Sequence, residues 1–269
     1  MSAPLVATNS RVKEARKLSR RSVRTERRLF LADGPKAVEG ALGATTHDGD
    51  PCVVEIFATT DAVERYADLL GKVDDVALVD DRAMAALSDS VSPAGVVAVC
   101  RPVDVPLTAL LEASSPPLVV CAEVRDPGNA GTIIRTADAV GAGGVVLTGD
   151  SVDPYNAKTV RASVGSLFHL PVAVVADTAE AVRAVRAAGM DVLAADGAGE
   201  LDLFEIDERL ADDVAWLFGN EAWGLPDDVA ALADHRVRIP IAGRAESLNL
   251  STAAAVCLYA TVRAARAAR

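Results

Sequence analysis

The sequence predicts a two-domain α/β protein whose larger, C-terminal domain contains a mostly parallel sheet. Short apolar segments alternate with helical patterns in both halves of the chain, as expected when helices cover both faces of a parallel sheet. The length of 269 residues fits two domains, and a hydrophobic fraction of 51% is enough to form their cores. Since only 4% of the residues are aromatic, we expect aliphatic cores.

The N-terminal domain is predicted over residues 1–101. It begins with one basic helix over residues 9–30, and Asp33-Gly34-Pro35 then starts a second helix that reaches residue 42. The remaining elements of this domain are strands at 53–58, 76–79 and 96–100 and helices at 61–70 and 81–87.

The C-terminal domain is predicted over residues 118–269, after a proline-rich linker over 102–117. Its strands are expected at residues 118–123, 145–148, 172–175, 191–194, 214–218 and 236–239. Its helices are expected at residues 129–140, 156–167 and 178–188, and from 249 to the end. Ligands of such sheets bind at the carboxyl ends of the strands, so the loops there are the candidate sites.

Composition argues against several classes of protein. The longest apolar run, residues 253–260, is far shorter than the roughly 20 residues of a membrane-spanning helix. The N-terminus lacks the apolar core of a signal peptide. The four cysteines form no C-x-x-C pair, so we expect reduced, buried thiols in the cytosol, with neither a disulfide framework nor a metal site.

The charge of the chain is distributed unevenly. Residues 11–28 carry +7, so the other residues together carry −18, because the whole chain carries −11. Such a segment attracts the phosphates of RNA, but it is also typical of an ordinary solvated helix, and charge alone leaves both interpretations open. Its candidate RNA-binding residues are Arg11, Lys13, Arg16, Lys17, Arg20, Arg21, Arg24, Arg27 and Arg28.

Three loops carry residues that suit ligand binding. In the first, residues 126–131, Gly128 and Gly131 open a helix whose N–H groups suit an anion, and Arg135 follows two turns after Gly128. The same pattern is also typical of an ordinary helix start. The second loop, residues 218–226, and the third, residues 239–251, combine glycines with polar side chains.

Together the three segments resemble the motifs of SpoU-type (TrmH-like) RNA methyltransferases of the SPOUT superfamily. The motifs are, in order, N-A-G-T-I-I-R-T-A-D-A-V-G-A, L-F-G-N-E-A-W-G-L and I-P-I-A-G-R-A-E-S-L-N-L-S-T-A-A-A-V. The N-terminal part looks like the small ribosomal-protein-like RNA-binding domain that often precedes this family's catalytic domain. The chain departs from the family pattern at Ala222, Leu250 and Ala260, where members usually have Gly, Val and Glu.

The resemblance implies transfer of a methyl group from S-adenosyl-L-methionine to a ribose 2′-hydroxyl of RNA. It also implies a deep trefoil knot in the C-terminal sheet, an exception to the rule that protein chains are not knotted. A homodimer is implied as well, because the family's motif-one arginine reaches a cofactor bound mostly by the other subunit. The expected cofactor contacts are Thr148, Leu217, Gly219, Ile239, Leu248 and Asn249.

The catalytic positions implied by the motifs are Arg135, Asn129, Glu221, Ser247 and Asn249. Arg135 matches the motif-one arginine to which the family assigns activation of the hydroxyl. Because the pKa of a guanidinium lies above about 12, we expect it to anchor a phosphate and stabilise the forming alkoxide, not to act as a free base. Asn129 and Glu221 are expected to orient it, and Ser247 and Asn249 to contact the hydroxyl and the cofactor.

The substrate is expected to be 23S rRNA. Transfer RNA, or the one 23S adenosine modified by thiostrepton-resistance-type enzymes, stays open as an alternative because these enzymes share the same domain layout. An alternative from another class is a non-catalytic RNA-binding protein. The complete set of five polar catalytic positions argues against it.

Overall fold

The computed structural model describes residues 3–113 and 115–268. Met1, Ser2, Ser114 and Arg269, which fall in the predicted N-terminal domain, linker and C-terminal domain, lie outside the described residues. The described residues form two compact units, one from the ranges 1–103 and 153–169 and the other from the ranges 104–152 and 170–269.

The described residues form eleven strands and thirteen α-helices. The strands are β1 (Phe30–Asp33), β2 (Val53–Ala58), β3 (Ala77–Leu78), β4 (Val96–Cys100), β5 (Leu118–Ala122), β6 (Gly144–Thr148), β7 (Val172–Val175), β8 (Asp191–Ala195), β9 (Leu201–Asp202), β10 (Val214–Phe218) and β11 (His235–Arg238). The helices are α1 (Ser10–Arg16), α2 (Arg21–Arg27), α3 (Pro35–Gly43), α4 (Thr60–Arg65), α5 (Ala67–Leu70), α6 (Asp81–Leu87), α7 (Leu107–Ala113), α8 (Pro127–Val140), α9 (Ala157–Ser163), α10 (Thr178–Ala187), α11 (Asp207–Leu210), α12 (Asp227–Ala230) and α13 (Leu250–Ala267).

The first unit contains a four-stranded sheet in the order β1-β4-β2-β3. The β3 strand runs parallel to β2, and the other neighbouring strands are antiparallel. Helix α1 contributes Val12 and Ala15 to an apolar core with Phe57, Met84 and Val97, which β2, α6 and β4 provide. The N-terminal basic segment is therefore part of the folded core through its apolar side chains.

The prediction of one helix over residues 9–30 is wrong. Helix α1 ends at Arg16, a short 3₁₀ turn follows, and Arg20 takes an extended backbone before α2 begins. Arg28, with φ 51°, ends α2, and β1 follows as a fully buried strand that pairs with β4. Tertiary pairing of buried apolar residues outweighs the local helical pattern here.

Residues 153–169, which follow β6 and its loop in the chain, pack within the first unit. The Phe30 ring lies 4.5 Å from the Tyr155 ring and 6.1 Å from the Phe168 ring, measured between centroids. Arg161 of α9 lies 3.5 Å from the buried carboxylate of Asp33. These contacts join β1 to a segment that is distant in sequence.

The second unit contains a parallel seven-stranded sheet in the order β7-β6-β5-β10-β8-β11-β9, which confirms the parallel sheet predicted for the C-terminal half. Alternate residues of β10 contact different helices. The Trp216 indole donates to Thr261 of α13 at 2.9 Å, whereas Leu217 joins the cluster that includes Val182 of α10. Helix α7 lies inside the proline-rich segment, and its Leu110 is fully buried in that cluster.

The order of the strands determines where a site can form. From β5, the chain adds β6 and β7 on one side of the sheet, and β10 and β8 lie on the other side. The carboxyl ends of β5 and β10 therefore form a topological switch point, the usual ligand position in such sheets. None of the helices in the described part of the chain combines the length and apolar character needed to cross a bilayer.

Candidate active site

The loops that follow β5 and β10 are joined by the carboxylate of Glu221. Its Oε2 accepts from the backbone N–H of Arg125 at 3.2 Å, and its Oε1 accepts from that of Asp126 at 3.0 Å. Asp126 caps α8 by accepting from the N–H of Asn129 at 2.8 Å, and Pro127 occupies the first turn. Glu221, in the loop after β10, thus holds the residues that immediately precede α8.

Two asparagines extend this contact to the third loop. Asn129, which is buried, donates its side-chain amide to Glu221 Oε1 at 3.3 Å and accepts from Asn249 Nδ2 at 3.0 Å. Asn249 caps α13, since its Oδ1 accepts from the N–H groups of Ser251 and Thr252 at 2.9 and 3.3 Å. The structure therefore brings three of the sequence-predicted catalytic residues into one hydrogen-bonded network.

The motif-two turn is closed at its base. Asn220 and Gly224 exchange two backbone hydrogen bonds of 2.9 Å, and the Asn220 side chain donates to the carbonyl of Glu123 at 2.7 Å. Glu123 has a φ of 54°, uncommon for a residue other than glycine. A Cβ atom on Gly219 would lie 2.4 Å from the carbonyl carbon of Gly224, so the tight turn itself requires glycine there.

Arg135 lies on the surface of α8, two turns beyond its start. Its guanidinium has no hydrogen-bond or ion-pair partner among the described residues. Glu221 and Asn129 are hydrogen-bonded to each other and not to Arg135. The contacts by which Asn129 and Glu221 were expected to orient Arg135 are therefore absent among the described residues. The Arg135 cation is therefore free to bind an anion.

The motif-three loop is open to solvent. Residues 240–249 are all exposed, including Ser247, which has no hydrogen-bond partner among the described residues. Ile239, the residue after β11, is half-buried, while Ile241 and Leu248 remain 38% and 37% exposed. Exposed aliphatic side chains in the loop that follows a parallel strand provide apolar surface for a ligand.

Two further residues expected at the cofactor are buried within the sheet. Leu217 is fully buried, and Thr148, also fully buried, bonds through its hydroxyl to the carbonyl of Cys121 and to Thr178. Burial raises the pKa of the neighbouring Cys121 thiol to about 12, and the negative charge of Glu221 adds to this shift. Because Leu217 and Thr148 are fully buried, neither side chain is exposed to a ligand in this structure, in contrast to the expectation from the sequence.

The nine basic residues of the N-terminal segment differ in their exposure and in their ion pairs. Lys13, Arg16, Arg20 and Arg21 have no ion-pair partner among the described residues, and all four are exposed. Arg11 pairs with Glu55, and Lys17 and Arg27 both pair with Glu14. Arg28 is exposed, and it is not without an interaction partner.

Arg24 differs from the other basic residues because it is buried, with 7% of its surface exposed. Its guanidinium lies 2.6 Å from Asp153 and donates to the carbonyls of Leu18 and Ser19. The sequence suggested an RNA contact here, and the structure assigns this side chain to the interior of the first unit. We therefore leave Arg24 out of the RNA-binding set.

Sequence reasoning missed Asn220, which is buried and joins the turn to Glu123. It also missed the contribution of Arg125 and Asp126, which contact Glu221 through backbone N–H groups. The position of Asn220, an amide immediately after a fully apolar strand and a glycine, is the signal that could have identified it. Backbone donors leave no such signal in the sequence.

Known proteins match this chain over both of its predicted domains. Residues 116–259 match the model of the SpoU rRNA Methylase family, and residues 9–98 match the MRM3-like substrate binding domain. A curated relative, the 23S rRNA (guanosine(2553)-2′-O)-methyltransferase RlmP of Bacillus subtilis (strain 168), is 32% identical over 94% of this chain and 96% of its own.

Solved structures with the same fold include two that contain the cofactor. The AdoMet-bound rRNA methyltransferase from Sinorhizobium meliloti is 37% identical, with a TM-score of 0.81 and 95% coverage of both chains. The SpoU methyltransferase AviRb from Streptomyces viridochromogenes in complex with AdoMet is 31% identical, with a TM-score of 0.82, and the match covers 97% of this chain and 100% of that one.

Proposed function

Because the chain belongs to the SpoU rRNA methylase family, we propose that it transfers the methyl group of S-adenosyl-L-methionine to a ribose 2′-hydroxyl of 23S rRNA. The observation that carries this proposal is the Glu221–Asn129–Asn249 network, which joins all three family motifs at the carboxyl ends of β5 and β10. A binding protein that had lost catalysis would have no need to keep this network beside an unpaired Arg135.

The residues around the motif-two and motif-three loops fit the cofactor. The space beside Gly224 is open, because no atom lies within 4 Å of the position that a Cβ would take there, and Ile241 and Leu248 offer aliphatic surface to an adenine. We propose that Gly219, Ile239, Leu248 and Asn249 hold the cofactor, with Leu217 and Thr148 supporting them. When bound, S-adenosyl-L-methionine supplies a methyl group that its positively charged sulfur has already activated.

The task left to the protein is to orient the ribose and to stabilise negative charge as the hydroxyl loses its proton. Arg135 suits both, because its guanidinium is a planar donor with no competing partner among the described residues. We assign it to a substrate phosphate and the forming alkoxide, with Ser247 at the hydroxyl. The asparagines and Glu221 fix α8 and α13 and so position Arg135 indirectly.

The first unit is proposed to bind the RNA. The main contacts are Lys13, Arg16, Arg20 and Arg21. These four cations are exposed and have no ion-pair partner among the described residues. These residues follow one another on α1, on α2 and on the short turn that joins these helices. The acidic remainder of the chain would limit binding elsewhere on its surface.

A homodimer, a trefoil knot and a cytoplasmic location complete the proposal. Tyr259 of α13 is 55% exposed and Arg135 faces solvent, which fits a second subunit that completes the site. A mass near twice 27.8 kDa in light scattering is expected, and a mass of one chain would argue against the dimer. The knot is proposed from membership of the family alone, and a ribosomal substrate favours a cytoplasmic location.

The test is methylation of unmodified RNA with radiolabelled S-adenosyl-L-methionine. In vitro transcripts of 23S rRNA and of a tRNA set are compared, and the labelled nucleosides are identified by mass spectrometry. We expect one 2′-O-methylated nucleotide in 23S rRNA. Label confined to tRNA would favour the tRNA alternative, label on a base would exclude ribose chemistry, and no label with measurable RNA binding would favour a binding protein.

A further inference from the structure

The tip of the motif-two turn carries an exposed aromatic side chain. Trp223 is 52% exposed, whereas the other tryptophan of the chain, Trp216, is fully buried and hydrogen-bonded to Thr261. An indole in this position contributes little to a core. A large exposed aromatic group beside a candidate site indicates a binding surface.

The turn holds Trp223 in a fixed position. Its base is closed by the paired backbone bonds of Asn220 and Gly224, and the N–H of Ala222 donates to Asn220 Oδ1 at 2.8 Å. Glu221, two residues before the indole, is bonded to the start of α8. A side chain on a turn that is already ordered loses little conformational freedom when it binds a ligand.

A cation lies against the indole. The guanidinium carbon of Arg125 is 5.1 Å from the ring centroid, within the range of a cation–π interaction. Arg125 Nη2 also lies 3.4 Å from Glu123 and 3.8 Å from Asp150, and these carboxylates keep the guanidinium close to the ring. Indole and guanidinium planes are the two surfaces on which proteins stack unpaired RNA bases.

We propose that Trp223, supported by Arg125, stacks on an unstacked base of the RNA close to the methylated ribose. The inference rests on the proposed function and adds a substrate-binding residue to it. An adenine of the cofactor or a second copy of the chain could also cover an indole. The pairing of the indole with a guanidinium plane favours RNA, because unpaired RNA bases stack on both kinds of surface.

Steady-state kinetics with the unmodified 23S rRNA transcript test the proposal. Base–aromatic stacking corresponds to about 5- to 140-fold in affinity, so Trp223→Ala should raise KM for the RNA by that factor and change kcat less. Trp223→Phe should retain most of the affinity. The matched control is Phe204→Ala, which removes an aromatic group that is 59% exposed in the same unit and should leave KM unchanged.

Fluorescence quenching gives a second readout that does not depend on turnover. The wild-type signal minus that of Trp223→Phe reports on Trp223, and we expect the RNA to protect it from acrylamide. Protection by S-adenosylhomocysteine alone, or protection that rises with protein concentration, would overturn the proposal in favour of the cofactor or a second copy. Unchanged KM and unchanged quenching would overturn it outright. If the wild-type enzyme methylates no RNA, the proposed function fails, but quenching still decides the stacking.

Discussion

Asn249 donates its side-chain amide to Oδ1 of Asn129 across 3.0 Å, although 120 residues separate the two in the chain. Asn129 passes the contact on to Glu221, so each of the three loops contributes one side chain to the same network. Amide groups both donate and accept, and each position is therefore specific for its partner. The shape of this edge of the sheet depends on all three residues.

Substitution of Asn249 separates its two roles. Asn249→Ala removes both the cap of α13 and the bond to Asn129, so we expect the unfolding free energy to fall by about 1 kcal/mol or more and methyl transfer to fall with it. Asn249→Asp keeps an acceptor for the cap but places a carboxylate against Asn129 Oδ1. It should retain most of the stability and still lose activity. Urea unfolding followed by tryptophan fluorescence reports on this unit, because both tryptophans belong to it.

Asn156→Asp is the matched control, since Asn156 caps α9 in the first unit by accepting from the N–H of Lys158. It should change neither stability nor turnover appreciably. Full activity in Asn249→Asp would mean that the link between motif one and motif three has no role in catalysis.

The sequence was sufficient to predict the parallel sheet and the three loops, because both depend on short-range patterns. Fully buried strands such as β5 and β10 are continuous apolar runs, and their bounds agree with the prediction to within one residue. Asp126 and Pro127 likewise mark the start of α8 through local helix-capping chemistry.

Features that depend on long-range packing could not be predicted. Residues 9–30 have a helical pattern throughout, but β1 forms because Phe30 is buried against partners more than a hundred residues away, including Tyr155. The partner of Glu221 is another example. The resemblance to the family implied Arg135 as its partner, whereas the fold brings the backbone N–H groups of Arg125 and Asp126 to the carboxylate.

The salt dependence of RNA binding tests the basic segment. Deletion of residues 1–30 would remove Val12 and Leu18 from the core, so charge removal is the cleaner experiment. The variant replaces by Gln the four exposed cations Lys13, Arg16, Arg20 and Arg21. Because each phosphate contact contributes about 0.7 to 0.9 to the slope of log K against log salt, the slope should become shallower by about 3.

The corresponding control replaces Arg11 and Arg27, whose charges are paired with Glu55 and Glu14. Its slope should change less than that of the quadruple variant. Equal slopes for the wild type and the quadruple variant would identify the segment as an ordinary solvated surface.

Arg24 is predicted to stabilise the first unit. Arg24→Ala leaves the Asp153 carboxylate, 13% exposed, without its cation, and an unpaired buried charge typically costs about 3–5 kcal/mol. Arg11→Ala breaks a more exposed pair and should cost less than about 1 kcal/mol. Hydrogen exchange of α2 and of residues 153–169 measures the difference. Equal protection in both variants would exclude a structural role for the buried pair.

Alkaline pH should destabilise the second unit through Cys121. Burial and the charge of Glu221 raise the pKa of this thiol to about 12 in the folded protein, whereas an unfolded cysteine titrates near 8.5. As the pH rises, the Cys121 thiol therefore loses its proton in the unfolded state first. The free energy of unfolding is highest below about pH 8.5 and falls as the pH rises towards 12. Urea unfolding at pH 8 and pH 10.5 should show this loss, and Cys121→Ala should show less of it. The same pH dependence in both proteins would exclude Cys121 as its source.

Arg135 provides the most direct test of the account. Single-turnover methylation of the 23S rRNA transcript is measured for the wild type, Arg135→Ala and Arg135→Lys, with S-adenosyl-L-methionine affinity measured by calorimetry. Both variants should lose transfer by about 10²- to 10³-fold, since one electrostatic donor contributes that much and an ammonium lacks the planar fork of a guanidinium. Cofactor affinity should be unchanged, and Arg183→Ala, which removes an exposed arginine of α10, should react like the wild type. Transfer by Arg135→Ala at more than a tenth of the wild-type rate would contradict the assignment of Arg135 to the reacting hydroxyl.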